Sequence, residues 1–241
     1  MPYFMRFIRH GRTDFNEGLK ASKNGDHSYF TSGKLTTDIA VELSSGGRDE
    51  LYAARKNYVR YGFHRNFDKC IVSEMIRTHQ TAQVFGFEPD WVEPLTNERS
   101  WGRLGRLPYN ERGNCDEAYD ADPVYWTPLG GESKYDVLKN RIKPLCENLS
   151  HDHSGKDLLF VSHGDFTRVM IMNMLNLSSE QFAAFWKSDD PILKVHNGQM
   201  VDFSHYDPVT GKVDQRSLWF RSVALTDPTL SEATNDWRKI Y

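Results

Sequence analysis

Three short stretches put charged and titratable side chains where an apolar run ends. They are Arg9-His10 after YFMRFI, Ser73 to Arg77 after KCIV, and Ser162-His163-Gly164 closing KDLLFVSHG. One histidine at a strand end is usually a hydrogen-bonded structural residue; two, each following an apolar run and each next to glycine, ask for a chemical reason. A zinc site is a poor reading, because Arg9 and Arg12 flank His10 and Arg168 follows His163, and cations compete with a metal. The His151-Asp-His153 run has ligand residue types but sits in a polar stretch before an apolar one, as a solvated loop would. A serine nucleophile through Ser73 or Ser162 lacks the G-x-S-x-G elbow. Phosphoryl transfer fits better. Guanidinium forks match phosphate oxygens, stay charged at any relevant pH, and leave a neutral imidazole to act as nucleophile. Monoester hydrolysis needs compensation of charge on the three equatorial oxygens, and a covalent phosphohistidine would split one displacement into two, with a carboxylic acid serving the leaving group and then water.

The elements that must position these residues alternate between strand and helix. YFMRFI (3–8) reads as a first strand that stops at a glycine, and KCIVS (69–73) feeds a helix over 74–85. KDLLFVSHG (156–164) is a continuous apolar run of the kind buried on both faces of a parallel sheet, and a helix follows over 165–175. Helices are also predicted over 44–61, from Gly131-Glu132-Ser133 through Leu149 with a kink at Pro144, and over 178–187. PDWVEPL (89–95) is a weaker strand. The segments 192–206 and 212–222, with Asn-Gly and Asp-Pro-Val-Thr-Gly turn chemistry, read as closing antiparallel strands. Residues 17–42 and 110–131 show no clear period and are expected to be a flap-like loop and an irregular stretch, with the tail from Asp227 lying over the surface. The expected fold is α/β: a three-layer sandwich, a mostly parallel central sheet with helices on both faces, and ligands at the carboxyl ends of its strands.

Bulk properties narrow the partners. The 241 residues fit a single domain, and 30 Lys and Arg against 33 Asp and Glu give a net charge of −3, so no basic field points to nucleic acid or an anionic membrane. No stretch reaches the length of an apolar membrane span, no leader is evident, and three unrelated cysteines suit a reducing compartment. The chain is therefore expected to be soluble and cytoplasmic.

RHGRTDFN, SEMIRTHQTA, LTNERSWGRLG and FVSHGDFTR together resemble, in order, the signature blocks of the histidine phosphatase superfamily, the phosphoglycerate mutase-like proteins. LSSGGRDELYAAR and GGES (130–133) are similar to two further family stretches. The resemblance implies a phosphoglycerate mutase-like fold with His10 as phospho-acceptor, Arg9, Asn16 and Arg77 on the phosphate, Glu98 as general acid and base, and His163 as the phosphate-stabilising partner of His10. Gly164 falls in the last block and is carried as a substrate-binding position. It implies no cofactor and no metal.

Departures bear on the leaving group. The segment from Glu17 to Val41 is longer than in a short phosphatase, GRLGRL puts Arg106 where relatives carry small or polar residues, and NCDEAYDADPVYWTP matches no familiar cap. Flap-like and cap-like insertions are thus expected at about 17–42 and 103–131. Arg12, Arg99, Arg103 and Arg106 are expected, as a set, to read a second anionic group, with Arg12 and Arg99 carried as substrate contacts. The expected activity is hydrolysis of a small anionic phosphate monoester through a phosphohistidine. A mutase or a catalytically silent phosphate-binding module are the alternatives. The expected partner is a small-molecule phosphate ester, with neither nucleic acid nor membrane, and a homodimer is allowed.

Overall fold

The computed structural model describes residues 1–33, 35–188, 194–227, 229 and 235–241. Seven strands form one sheet: β1 (Phe4–Arg9), β2 (Lys69–Val72), β3 (Trp91–Val92), β4 (Asp157–Ser162), β5 (Met200–Ser204), β6 (Trp219–Val223) and β7 (Arg238–Lys239). Their order is β3-β2-β4-β1-β5-β6-β7. The first four in that order run parallel, while β5, β6 and β7 each pair antiparallel with the preceding strand. The expectation of a mostly parallel sheet therefore holds for one half only. The antiparallel neighbours β5 and β6, joined by residues 205–218, pair directly with no crossover helix between them.

Alternation along the strands splits the core in two. Met5 and Phe7 of β1, with Leu158 and Phe160 of β4, pack against Leu145, Leu149, Phe166, Met170 and Phe182. Ile8 and Leu159, pointing the other way, meet Leu51, Ala54 and Tyr58 of helix Ser45–Arg60 together with Val84 and Phe85 of helix Ile76–Phe85. Helices thus cover both faces. The polar outlier of β1 is Arg6, 2 % exposed, whose Nε and Nη2 hold the two Asp202 oxygens at 2.7 and 2.8 Å while Nη1 donates to the Tyr58 hydroxyl.

The kink expected at Pro144 takes a specific form. Helix Lys134–Val137 opens on a Ser133–Asp136 capping box, widens to a π turn over Leu138–Ile142, and resumes as helix Lys143–Asp152 with the proline in its first turn. The wide turn accommodates the missing N–H and the ring clash of proline. Two stretches read as irregular contain helices, Asp14–Lys23 and Cys115–Ala121. Residues 192–193 of the expected C-terminal strands and part of the tail lie outside the described residues; the tail's remainder contributes β7. Among the described residues no helix is long and apolar enough to cross a membrane.

Candidate active site

The parallel strands β1, β2 and β4 deliver the three sequence clusters to one end of the sheet. At the end of β1, the His10 N–H donates to Ser162 O of β4 at 2.9 Å, and the Asn197 side chain donates to His10 O at 3.0 Å. The Gly11 N–H donates to Thr81 Oγ1 at 3.1 Å. A Cβ at Gly11 would come within 2.5 Å of Leu51 Cδ1, so glycine lets this turn sit against helix Ser45–Arg60. These contacts fix the His10 backbone before its ring is considered.

The ring is fixed as well. His10 Nδ1 lies 2.7 Å from Gly11 O, and facing a carbonyl it must be the protonated nitrogen, which leaves the lone pair on Nε2. Burial, then Arg77 and Arg9, hold His10 well below the usual imidazole range, so it is neutral at neutral pH. His163 packs behind it, ring centroids 5.1 Å apart, with Nε2 at 2.8 Å from Ser73 Oγ and Nδ1 buried without a partner. Burial and Arg77 also depress His163.

Arg9 is anchored by Nη1 on Val195 O at 2.6 Å while its buried Nε has no partner. Burial and Arg168 push it down to about 10, still charged at neutral pH. Its guanidinium lies against Gly164, where a Cβ would be 3.0 Å from Arg9 Cζ. Arg77, 4 % exposed, enters from the first turn of helix Ile76–Phe85 and places Nη1 on Asp38 O at 2.7 Å and Asp38 Oδ1 at 3.0 Å.

Glu98 accepts from the Arg99, Gly164 and Phe166 N–H groups at 3.0, 3.1 and 3.3 Å, which seats it on the N-terminus of helix Gly164–Met174. Burial and the neighbouring Asp165 carboxylate nevertheless hold it above the usual range, against Arg9 and these donors. Asp165 behaves oppositely: burial would raise it, but Arg99, Lys134 and Arg168 pull it below the usual range. Two adjacent carboxyls are thus pushed in opposite directions, one up and one down.

These side chains border a cavity of about 580 Å³, lined by Arg9, His10, Asn16, Arg77, Glu98 and Gly164 among others. His163, fully buried, stands behind His10 and outside that lining. Asn16 lines the cavity while its Oδ1 accepts from the Thr13 N–H at 3.2 Å. His10, Glu98 and His163 bring ligand atoms within 4.8 Å of one another, a spacing a metal would accept, yet Arg9 and Arg77 act on both rings and make the donor set unfit for a cation.

Two expected substrate contacts lie elsewhere. Arg12 pairs with Glu50 at 2.8 Å and Glu17 at 3.4 Å, outside the cavity lining. Arg99 is fully buried, with Nε on Asp165 Oδ2 at 2.8 Å and Nη1 on Glu132 O at 2.9 Å, and so braces the loop carrying Glu98. Arg103 is exposed outside the lining, whereas Arg106 does line the cavity. Unanticipated members include Asp38, Thr81, Asn197 and the buried Lys134, which donates to Pro123 O at 2.9 Å beneath the Trp186 ring. The sequence signal for Lys134 was its place in a helix start after GGES; for Asp38 there was none beyond lying in an overlong segment.

The profile of the histidine phosphatase superfamily (branch 1) matches residues 5–191. Phosphoglycerate mutase-like protein 4 of Arabidopsis thaliana is 28 % identical over 155 residues, 61 % of this chain and 66 % of that one. An acid phosphatase of Mycobacterium tuberculosis is 26 % identical over 174 residues, 70 % of this chain and 81 % of the relative. A solved mycobacterial glucosyl-3-phosphoglycerate phosphatase complexed with VO3 shares the fold, with a TM-score of 0.62 at 20 % identity over 84 % of this chain and 92 % of that chain. Relatives of this kind are phosphatases and mutases, and the chain is an enzyme of the same type: it belongs to the histidine phosphatase superfamily.

Proposed function

We propose that the chain is a phosphomonoester hydrolase working through a phosphohistidine at His10 on a small anionic phosphorylated metabolite. The carrying observation is the Nδ1–H of His10 held on Gly11 O, in a ring kept neutral among Arg9 and Arg77, because that combination leaves a lone pair on Nε2 beside phosphate-binding cations. In the first step Nε2 forms a P–N bond as the bond from phosphorus to the ester oxygen breaks, and Glu98 gives its proton to the leaving oxygen. In the second, Glu98 takes a proton from water, the water oxygen bonds to phosphorus, and the P–N bond breaks to release inorganic phosphate. Arg9, Arg77 and the unpartnered His163 Nδ1 compensate charge on the transferring group.

The raised Glu98 supports the acid role, since a carboxyl shifted up holds its proton to higher pH and can give it to a poor leaving group. Incubation with 3-phosphoglycerate and a bisphosphate primer separates this reading from a mutase: a phosphatase gives inorganic phosphate, a mutase gives the 2-phospho isomer. Tight phosphate binding without turnover over sugar phosphates, phosphoglycerates, nucleotides and phosphopeptides would instead make it a silent binding module.

A further inference from the structure

The cavity beside His10 is larger than the transferring group and a triose require. At about 580 Å³ it falls within the range of roughly 300–1,000 Å³ that encloses drug-sized ligands, and it equals the space of many waters at roughly 30 Å³ each. One wall is aromatic: Trp101, Tyr119 and Trp186 all line it, with Trp101–Tyr119 and Tyr119–Trp186 centroids 5.5 and 5.2 Å apart. Phe15 and Tyr29 line the same cavity from the 14–31 segment, 6.3 Å apart edge to face.

The place of Trp101 is set by the chemistry. Glu98 must reach the leaving oxygen, so the leaving group extends past Glu98, and Trp101 lies three residues on in the same loop, bordering the same cavity. The indole is held by its neighbours: Arg99 Cζ is 4.0 Å from its centroid, itself tied to Asp165 and Glu132, and Tyr119 and Trp126 lie at 5.5 and 6.2 Å. A ring immobilised this way costs no ordering when a ligand lies on it.

Resting on the phosphatase reading of this site, we propose that the leaving group is a ring-bearing alcohol whose ring packs on Trp101 within the Trp101–Tyr119–Trp186 wall, which makes Trp101 a specificity-determining residue. The test compares 2-phenylethyl phosphate with ethyl phosphate, two alkyl esters that differ by the ring. The expected kcat/KM ratio is roughly tenfold or more in favour of the phenyl ester, the scale of an aromatic contact plus the apolar area it covers. Trp101→Ala, and Trp101→Leu as the variant that keeps apolar bulk, should bring the ratio toward one, by a larger loss on the phenyl ester than on ethyl phosphate. A wild-type ratio near one, an unchanged ratio in both variants, or equal losses on both esters would each overturn the proposal.

Binding separates this proposal from the one beneath it. Calorimetry with 2-phenylethylphosphonate and ethylphosphonate, which cannot be hydrolysed at the P–C bond, should show the same preference. That preference without hydrolysis of either ester would retain the ring subsite and remove the phosphatase reading. Equal phosphonate affinities with both esters hydrolysed would do the reverse.

Discussion

Asp38 occupies Arg77: its carbonyl and its carboxylate sit 2.7 and 3.0 Å from Arg77 Nη1, so a chain segment holds the guanidinium that faces the cavity. Among the described residues Arg77 Nη2 meets Met75 Sδ at 2.7 Å, and Asp38 is itself 60 % exposed. A phosphoryl group arriving at Arg77 must share it with, or displace, that carboxylate. Asp38→Asn should therefore tighten inhibition by inorganic phosphate roughly two- to fivefold, the range of a partly exposed ion pair. The reading fails if the inhibition constant is unchanged or kcat falls instead, which would make Asp38 a strut for Arg77.

For His10→Ala the expected result is loss of turnover by about 10³-fold or more, together with loss of acid-labile phosphoenzyme in rapid-quench experiments with ³²P-labelled substrate. Persistence of the labelled protein would move the nucleophile elsewhere.

Glu98→Gln should spare aryl phosphates, whose leaving groups need little protonation, and slow alkyl phosphates by about 10²-fold or more. With the folded pKa raised, kcat/KM for alkyl esters falls as pH climbs through that value, and this limb should vanish in the Gln variant. The same shift acts on stability. A raised carboxyl pKa supports the fold fully below the ordinary glutamate value and loses that support as pH rises through the folded pKa, so Glu98→Gln should melt higher than the parent above it.

The depressed His10 and His163 set the acid side of the profile. Neither ring should protonate until well below the usual imidazole range, and activity should persist on acidification past pH 6.5. An acid limb centred on the ordinary histidine value would contradict the burial described for both rings.

Gly47→Ala addresses the scaffold. A Cβ there would fall 2.0 Å from Arg12 O, against backbone that cannot yield. A loss of roughly 2–3 kcal/mol is expected, or a Tm lower by about 5–10 °C, measurable by thermal unfolding.

The sequence was most legible where chemistry and strand ends coincide. Arg9, His10, Arg77 and Glu98 stand in short blocks, and the cavity gathers them. Arg12 and Arg99 misled because charge beside a signature says nothing about direction; one turns to Glu50, the other to Asp165. Asp38 was invisible because its meaning lies in a contact made 39 residues away. Helix Asp14–Lys23 escaped notice because its buried positions are Gly18 and Ser22, small residues that draw no apolar stripe. The antiparallel pairing of the closing strands was legible in their turn chemistry, whereas the antiparallel β1–β5 pair was not, because a buried strand's apolar run does not declare its neighbour's direction.

The superfamily match ends at residue 191, yet Val195 O anchors Arg9, Asn197 holds His10 O, and the Gly198 and Gln199 backbone bonds to Arg9 at 3.0 Å. A chain cut at the edge of the recognisable family segment would keep His10, Glu98, Arg9 and Arg77, and would lose the hand that grips two of them. The antiparallel half of the sheet is thus no appendage: its entry loop clamps Arg9 and His10, and grafting the signature blocks alone would transplant those side chains without the vice.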